Sequence, residues 1–276
     1  MNLLTVKNLT VTFSTDNGPV DVVKGISFNL GKERLGIVGE SGSGKSMTGR
    51  AILGLIEGQG KVTADELKFK DTDLQTLSKT AYRTMRGKAI SMVMQDPKYS
   101  LNPVISIGRQ ISEVLEFHEK LSKKERYRRV IQILEAVHIR DAERVYHLYP
   151  HEISGGMGQR VMIAMMVVLE PDVLIADEPT SALDASVQAQ VLDIMNELVQ
   201  VQGMGLIMIS HDLNMVAKYC DRILVMFNGE IVESCIASEL SQATHPYTQG
   251  LLASMPTIDE SRSYLPVLDR TALGRV

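Results

Sequence analysis

The sequence is poor in several features, and each shortage excludes a class of protein. Cys220 and Cys235 are its only cysteines, too few for a disulfide framework and without the spacing of a metal site. It has no basic surplus, since 29 lysines and arginines stand against 33 acidic residues, so no nucleic-acid footprint is visible. Its longest apolar run, Val161 to Leu169, is about half the length that a bilayer crossing requires. We expect a soluble protein of a reducing compartment, in which a membrane role would need partner subunits.

Targeting and repetitive segments are also missing. The first residues, from Met1 to Lys7, contain no basic stretch followed by an apolar one, so we expect no signal peptide. No internal repeat or low-complexity segment is visible. The chain has 276 residues, 44% of them hydrophobic and 22% charged, which is ordinary globular usage. Length and composition therefore predict one large domain or two small ones.

Hydrophobic spacing in the first part of the chain changes from strand-like to helix-like. Near-alternating apolar residues from Leu4 to Phe13 predict a half-buried strand, and further strands are predicted at Val20–Val23 and Leu35–Val38. From about Ser106 to Val168 the apolar residues recur every three or four positions, which predicts helices. Strands followed by a helical stretch indicate a mixed fold.

The later part of the chain returns to strands. Short runs that are apolar throughout, at Val173–Ala176, Leu206–Ile209 and Ile223–Met226, are typical of parallel strands buried on both faces. An amphipathic helix, Ser186–Gln200, separates the first two and predicts a βαβ unit. Beyond Tyr247 the sequence becomes polar. The whole pattern predicts an α/β core interrupted by a mostly helical insert.

A glycine-rich segment follows the predicted strand Leu35–Val38 and precedes a helical stretch from Met47 to Leu55. It matches the G-x-x-x-x-G-K-S/T pattern in that required context. The residues of the match are Gly39, Glu40, Ser41, Gly42, Ser43, Gly44, Lys45 and Ser46. Backbone amides of such a loop face phosphate oxygens, and the following helix adds its positive end. Lys45 is expected to reach the β- and γ-phosphates, and Ser46 to ligate Mg²⁺.

Two acids, Asp177 and Glu178, end the apolar run Val173–Ala176. Asp177 is placed to support Mg²⁺, commonly through a water, and Glu178 to polarise a water for attack on the γ-phosphate. An acid pair at a strand end is also a common helix cap or turn, so its weight comes from the phosphate loop upstream. The phosphate loop alone does not choose among kinases, small GTPases, recombinases and motor ATPases.

The segment from Ile153 to Arg160 narrows this choice, because it resembles the signature sequence of ATP-binding cassette (ABC) ATPases, usually Leu-Ser-Gly-Gly-Gln. Ile153 and Met157 depart from that pattern, whereas the Ser-Gly-Gly core is intact. A serine hydroxyl and two glycine amides that open a helix make a second anion site. One chain does not need two such sites for one nucleotide. The resemblance implies two cassettes packed head to tail, each signature closing over the ATP of the other.

Other landmarks of the ABC family follow in order. Gln95 is similar to the Q-loop glutamine that touches Mg²⁺, and Asp184 resembles the D-loop aspartate that communicates across the dimer. His211 matches the switch histidine at the γ-phosphate, and Phe13 stands where the family stacks an aromatic ring on adenine. Phe13 is also a plausible core residue, and the stacking role is the favoured one.

The resemblance assigns site residues by role. The residues for ATP binding are Phe13, Gly39, Glu40, Ser41, Gly42, Ser43, Gly44, Lys45, Ser46 and Met47. The catalytic residues are Glu178, His211 and Gln95, and the metal is served by Ser46, Gln95 and, through a water, Asp177. The residues offered to the ATP of a partner are Ser154, Gly155, Gly156 and Met157, with Asp184 in the D-loop.

The resemblance also implies a fold. It is a P-loop NTPase core, with a mixed sheet and flanking helices, to which an antiparallel β subdomain and an inserted helical subdomain are added. We expect a single ABC ATPase domain over 1–276. The β subdomain and the RecA-like core would occupy 1–95 and 171–245, the helical subdomain about 96–170 and a C-terminal tail about 246–276.

Several motifs are similar to those of importer ATPases for oligopeptides, dipeptides and nickel. They are Gly39–Ser46, Tyr149–Glu152, the Met157 variant of the signature, Ala176–Thr180 and His245–Thr248. The Ser-Gly-Gly-Met signature resembles that of the dipeptide-type subunit. Many peptide-importing relatives continue into a cysteine-containing tail, whereas this sequence ends at Val276. Import of nickel or a metal chelate therefore stays open beside import of peptides.

The resemblance implies an ATPase at the cytoplasmic face of a bacterial inner membrane, bound peripherally. Its expected partners are a second ABC ATPase (the same or a related chain), two transmembrane permeases and an extracytoplasmic substrate-binding protein, with no nucleic acid. The stretch Lys98–Pro103 is expected to contact the permease. Two rivals are a soluble ABC ATPase of DNA repair or translation, disfavoured by the lack of sustained heptads, and a small-molecule kinase, which would leave the signature unused.

Overall fold

The computed structural model describes residues 2–94, 100–181 and 183–254, and every structural statement below concerns these residues. By their internal contacts they form two compact units. The first unit comprises the described residues of 2–76 and 207–254, and the second comprises the described residues of 77–206. Both units contain strands and helices, as the sequence predicts for an α/β fold.

The secondary structure is as follows. The strands are β1 (Leu4–Thr15), β2 (Gly18–Leu30), β3 (Arg34–Val38), β4 (Gly60–Thr63), β5 (Glu66–Phe69), β6 (Thr72–Asp73), β7 (Ile90–Val93), β8 (Val173–Asp177), β9 (Gly205–Ser210), β10 (Arg222–Phe227) and β11 (Glu230–Ile236). The helices are α1 (Lys45–Ile52), α2 (Lys79–Met85), α3 (Ile107–His118), α4 (Lys123–Ala136), α5 (Ala142–His147), α6 (Gly155–Val167), α7 (Ala185–Gln202), α8 (Leu213–Tyr219) and α9 (Pro246–Ala253). Short 3₁₀ helices cover Leu74–Thr76, Pro150–Glu152 and Ala237–Gln242.

One sheet of the first unit is antiparallel and is built around β1. This strand pairs with β2 on one side and with β4 and β5 on the other, and β6 pairs with β5. Its inward residues, Leu4, Val6, Leu9 and Val11, are fully buried, which agrees with the near-alternating pattern of the sequence. Strand β2 is longer than the predicted Val20–Val23 because its antiparallel ladder with β1 runs from the turn at Gly18 to Leu30.

The remaining strands of the first unit surround β3. Strand β10 runs parallel to β3, and β11 continues the order antiparallel to β10. Strand β9, whose residues from Ile207 onward belong to this unit, is the other neighbour of β3. The interior residues of β10, Ile223–Met226, are buried, as expected for a strand covered on both faces. This arrangement places the residues after β3 and after β9 at strand ends.

The second unit combines a parallel strand pair with a group of helices. Strands β7 and β8 pair in parallel, from Ile90 opposite Val173 to Val93 opposite Ala176. Helices α3, α4 and α5 pack on one another, and α6 packs on α3, α4, α7 and β7. The helical character predicted for Ser106 to Val168 is therefore confirmed. Helix α4 begins at a capping box. The N–H of Glu125 donates to the Ser122 side chain, and the N–H of Ser122 donates to the Glu125 carboxylate.

The first residues after 245 form a helix. The sequence predicts a polar tail there, but Pro246–Ala253 is helical and its residues Tyr247 and Thr248 are fully buried. Proline at the first helical position suits this start because its missing N–H has no partner within the helix anyway. The proposed boundaries of a helical subdomain, near 96 and 170, stay a prediction. Among the described residues, no helix has the length and apolar character needed to cross a membrane.

Candidate functional site: a phosphate-binding loop and a signature helix

The phosphate-binding loop of the first unit joins β3 to α1. Gly39 has φ of +155°, and a Cβ at this position would lie 2.1 Å from the carbonyl oxygen of Met226. Gly44 has φ of +99°, and a Cβ there would lie 2.6 Å from the carbonyl oxygen of Val22. A side chain at either place would collide with neighbouring backbone as well as strain its own. The glycines of the pattern therefore allow the loop to lie directly against two strands.

Lys45 is enclosed by the loop that it follows, with only 5% of its surface exposed. Its ammonium donates to the carbonyl oxygens of Gly39 and Glu40, each at 2.7 Å, and to Ser43 Oγ at 3.4 Å. These contacts hold a positive charge at the start of α1, where the helix dipole is also positive. The loop therefore concentrates positive potential where the sequence predicts phosphates.

Phe13 and His211 are the other predicted site residues of the first unit. Phe13 is half-buried in β1, and its ring lies close to the backbone of Gly60 on β4, where a Cβ would come 2.9 Å from the ring. His211 is exposed at the turn between β9 and α8. The next residue, Asp212, donates its N–H to Ser210 Oγ at 3.0 Å and caps α8 by accepting from Met215 N at 3.1 Å. Those two hydrogen bonds stabilise the turn in which His211 lies.

In the second unit, Asp177 is the last residue of β8 and is 5% exposed. Glu178 follows it in a left-handed backbone conformation, with φ of +46°. The carbonyl of Glu178 accepts from the N–H and the hydroxyl of Ser181, at 3.4 and 3.3 Å. The buried side-chain amide of Gln159, on α6, donates to the carbonyl of Pro179. The acid pair thus ends a buried strand and enters a turn that α6 supports.

The signature segment begins α6. Ser154 is its N-cap, and its Oγ accepts from Met157 N at 3.3 Å. Gly155 is exposed, with open space where a Cβ would stand, whereas a Cβ on Gly156 would come within 2.7 Å of Val187 Cγ1 on α7. Gly156 therefore permits close packing of α6 on α7, and Ser154 and Gly155 leave the start of α6 open. An open helix N-terminus is a position where proteins can bind an anion, and this role stays a prediction for the signature segment.

Comparison with known proteins shows which family carries these features. A family model described as ABC transporter matches residues 23–181. The chain is 47% identical, over its whole length and 84% of the relative, to the dipeptide transport ATP-binding protein DppD of Haemophilus influenzae. It is 48% identical, over 94% of its length and 73% of the relative, to the oligopeptide transport ATP-binding protein OppD of Bacillus subtilis. The chain belongs to the ABC transporter family.

Solved structures of ABC cassettes share the fold. A structure described as the dimeric form of MJ0796, a bacterial ABC transporter cassette, superimposes with a TM-score of 0.75 at 26% identity. That match covers 85% of this chain and 98% of the MJ0796 chain. Another structure of MJ0796 is a post-hydrolysis state bound to ADP and phosphate. The predicted fold class, an ABC-type P-loop NTPase, is confirmed, and the chain is an ATPase of this family.

The landmarks of this ABC ATPase are divided between the two units. Phe13, the phosphate-binding loop and His211 lie in the first unit. Asp177, Glu178, the signature residues and Asp184 lie in the second. Gln95 lies outside the described residues, as do Lys98 and Tyr99 of the stretch expected to contact a permease. The roles assigned to all these side chains stay predictions.

Asp184 has a local structural role that sequence analysis missed. It is the N-cap of α7, and its carboxylate accepts from Val187 N at 3.1 Å. The hydroxyl of Ser186 donates to the same carboxylate at 2.7 Å and keeps the pKa of Asp184 below its ordinary value. The signal was present in the sequence, because aspartate directly before an amphipathic helix is a common cap.

Two glutamines that sequence analysis did not single out support the turn after Glu178. Gln159 donates to the carbonyl of Pro179, and Gln188 donates to the carbonyls of Thr180 and Leu183 at 3.0 and 3.1 Å. Both side chains add hydrogen bonds to backbone carbonyls of an irregular segment, where the Thr180 carbonyl also accepts from Leu183 N at 3.1 Å. No periodicity or motif identifies them, because their partners are set by how α6 and α7 pack.

Proposed function

We propose that this chain is the ATP-hydrolysing subunit of a bacterial importer that takes up peptides through separate membrane permeases. The observation that carries the cargo class is the identity of 47% over the whole chain to a protein named for dipeptide transport. Relatives named for oligopeptide transport, 44% and 48% identical, support the same class. In this proposal the chain lies peripherally on the cytoplasmic face of the inner membrane, and an extracytoplasmic binding protein delivers the peptide.

The phosphate-binding loop serves the triphosphate. Its amides and the start of α1 bind the phosphate oxygens, and Lys45 neutralises charge on the β- and γ-phosphates. Phe13 offers its ring to the adenine base. Glu178 orients the attacking water and accepts its proton, and His211 donates a hydrogen bond to the γ-phosphate. Most of the acceleration comes from positioning and from charge neutralisation, since phosphoryl transfer asks little covalent work of a protein.

The residues proposed for the metal fit Mg²⁺. Ser46 supplies a hydroxyl at the start of α1, Asp177 a carboxylate at the end of β8, and Gln95 an amide oxygen. All three are hard oxygen donors, which Mg²⁺ prefers, and few of them are needed because this ion retains water and phosphate ligands. When bound, Mg²⁺ would neutralise charge that develops on the phosphates.

A second cassette completes the site. We propose that Ser154, Gly155 and Gly156 bind the γ-phosphate of an ATP held by a partner cassette, either a second copy or a related chain. The exposed start of α6 supports this arrangement because its anion-binding groups are open to a partner. The dimeric form described for the MJ0796 cassette supports it as well. Asp184 would communicate between the two sites of the dimer.

The test is purification of the tagged chain from bacterial membranes in detergent, followed by reconstitution of the complex in vesicles. We expect two hydrophobic subunits and a second ATPase to copurify. Binding protein loaded with peptide should raise the ATPase rate several-fold, and the Lys45→Ala complex should show no such rise because the charge on the β- and γ-phosphates is no longer neutralised.

Two results would contradict the proposal at different levels. A chain that purifies alone, without hydrophobic subunits, would contradict the importer assignment and favour a soluble ABC ATPase. Stimulation by nickel or a metal chelate, with no response to peptides, would contradict only the cargo.

A further inference from the structure

The His245–Thr248 motif has no role in the site described above, yet several hydrogen bonds fix its position. His245 caps α9 by accepting from Tyr247 N at its Nδ1, at 3.2 Å. Glu233, on β11, accepts from the N–H groups of Thr244 and His245 at 3.1 and 2.8 Å. The two residues immediately before α9 are therefore tied to β11 by the Glu233 side chain.

Tyr247 is the side chain that this anchoring positions. It is completely buried, and its ring packs against Phe227 at the end of β10 with the ring centroids 4.4 Å apart. Its hydroxyl oxygen accepts from the N–H of Glu40 in the phosphate-binding loop, at 3.0 Å. Close packing around a fully buried side chain holds it in one rotamer. The hydroxyl is thus held at a fixed point behind the loop.

The Glu40 N–H belongs to the same peptide group as the carbonyl of Gly39. A peptide group is planar, and its N–H and C=O point in opposite directions, so fixing one fixes the other. The Gly39 carbonyl accepts from Lys45 Nζ at 2.7 Å. The hydroxyl of Tyr247 and the ammonium of Lys45 therefore bind opposite edges of the same planar peptide group. Polarisation through the amide also strengthens each of the two hydrogen bonds.

We propose that Tyr247 is a positioning residue of the nucleotide site. Its hydroxyl orients the Gly39–Glu40 peptide, and that peptide holds the ammonium of Lys45 where the β- and γ-phosphates bind. Helix α9 thereby sets the affinity of the loop for nucleotide. This inference rests on nucleotide binding at the loop and is independent of the cargo.

The first experiment is Tyr247→Phe, which removes the hydroxyl and keeps the ring. With the full chain, we expect the Kd values for ATP and ADP, measured by calorimetry, to rise about 3- to 10-fold, because one hydrogen bond that positions Lys45 is lost. In the assembled transporter the KM for ATP should rise by a similar factor, with kcat within about twofold. Kd values for ATP that stay within about twofold of the unmodified chain would overturn the proposal.

A matched control lies next to Tyr247. Thr248 is equally buried on α9, and its Oγ1 has no hydrogen-bond partner among the described residues. Thr248→Val therefore removes a buried hydroxyl from the same helix without touching the loop. We expect it to leave the Kd for ATP unchanged. An equal rise in Thr248→Val and Tyr247→Phe would mean that the helix acts only through general packing, and it would overturn the proposal.

A double-mutant cycle shows whether Tyr247 acts through Lys45. In a Lys45→Ala background the peptide no longer has an ammonium to orient, so Tyr247→Phe should not weaken ATP binding further. Equal fold-changes in the two backgrounds would overturn the proposal.

A measurement on the unmodified chain covers the case in which the variant fails to fold. The Glu40 amide should exchange its hydrogen slowly in the nucleotide-free protein, and fast exchange would overturn the proposal. If the unmodified chain itself binds no ATP, it is the proposed function that fails, so the two failures are distinguishable.

Discussion

Glu178 is a glutamate in a backbone conformation that glutamate rarely adopts. Its φ of +46° follows directly on the buried Asp177, and the turn is held by Ser181 and by Gln159. Non-glycine residues in this region are uncommon, and when the surroundings impose the conformation they are often found at functional sites. The conformation turns the chain sharply at the end of β8.

The role proposed for Glu178 predicts the behaviour of Glu178→Gln. The amide cannot accept a proton from water, so we expect kcat for ATP hydrolysis to fall by about 10²- to 10⁴-fold while the Kd for ATP stays within about twofold. Steady-state hydrolysis by the assembled complex and ATP binding to the chain measure the two quantities.

A control for this substitution is Glu170→Gln. Glu170 is a second glutamate with positive φ, +54°, in the turn after α6, and it has no proposed part in the reaction. We expect it to retain normal turnover. Near-normal hydrolysis in Glu178→Gln would refute the assignment of Glu178 as the base.

At the scale of elements, the contact between α6 and α7 depends on Gly156. A Cβ there would come within 2.7 Å of Val187 Cγ1, so a larger residue would push the two helices apart. Gly155, one position earlier, has open space around it. Packing within the chain therefore requires glycine at position 156. At position 155, the start of the helix, it does not.

This contrast predicts different stabilities for two alanine substitutions. Gly156→Ala should lower the free energy of unfolding by about 1–3 kcal/mol, as overpacking of a close contact does. Gly155→Ala should leave it unchanged or raise it by up to about 1 kcal/mol, because alanine favours helix. Urea unfolding of the full chain measures both.

A second substitution tests the cause. Val187→Ala removes the methyl group that the new Cβ would meet, so Gly156→Ala should cost less in that background. A cost that stays the same would mean that the close approach to Val187 is not what requires glycine.

At the scale of the whole molecule, the signature segment and the phosphate-binding loop belong to different units. In the proposed head-to-tail arrangement they also serve different nucleotides. Ser154→Arg should therefore leave the Kd of the isolated chain for ATP unchanged, because that ATP is bound by the loop. In the assembled transporter, ATPase activity should fall at least about tenfold, because the arginine obstructs closure over the partner's nucleotide.

Loss of the helix cap needs its own control, since Ser154 also accepts from Met157 N. Ser122→Ala removes a similar cap from α4, at a cost of about 1 kcal/mol in stability, and Ser122 has no proposed part in the reaction. We expect this variant to retain transport-coupled hydrolysis. A weaker ATP affinity in the isolated Ser154→Arg chain would contradict the head-to-tail arrangement.

Much of this protein could be predicted from local patterns. Alternation predicted β1, continuously apolar runs predicted β8, β9 and β10, and helical spacing predicted the helices between Ile107 and Val167. The phosphate-binding loop was also predictable, because its glycines and its lysine act over eight neighbouring residues and between a strand and a helix. Such features depend on backbone geometry within a few residues, which the sequence states directly.

The tertiary structure alone decided which distant groups meet. Tyr247 reaches the N–H of Glu40 across 207 residues, and Gln159 reaches the carbonyl of Pro179 across 20. The sequence therefore predicts a polar tail after 245, whereas Pro246–Ala253 form a helix that contacts the phosphate-binding loop. Motif and periodicity record what a residue does for its own element. They do not show which partner the tertiary packing brings to a buried polar group. The partner of the Tyr247 hydroxyl, the N–H of Glu40, is therefore visible only in the structure.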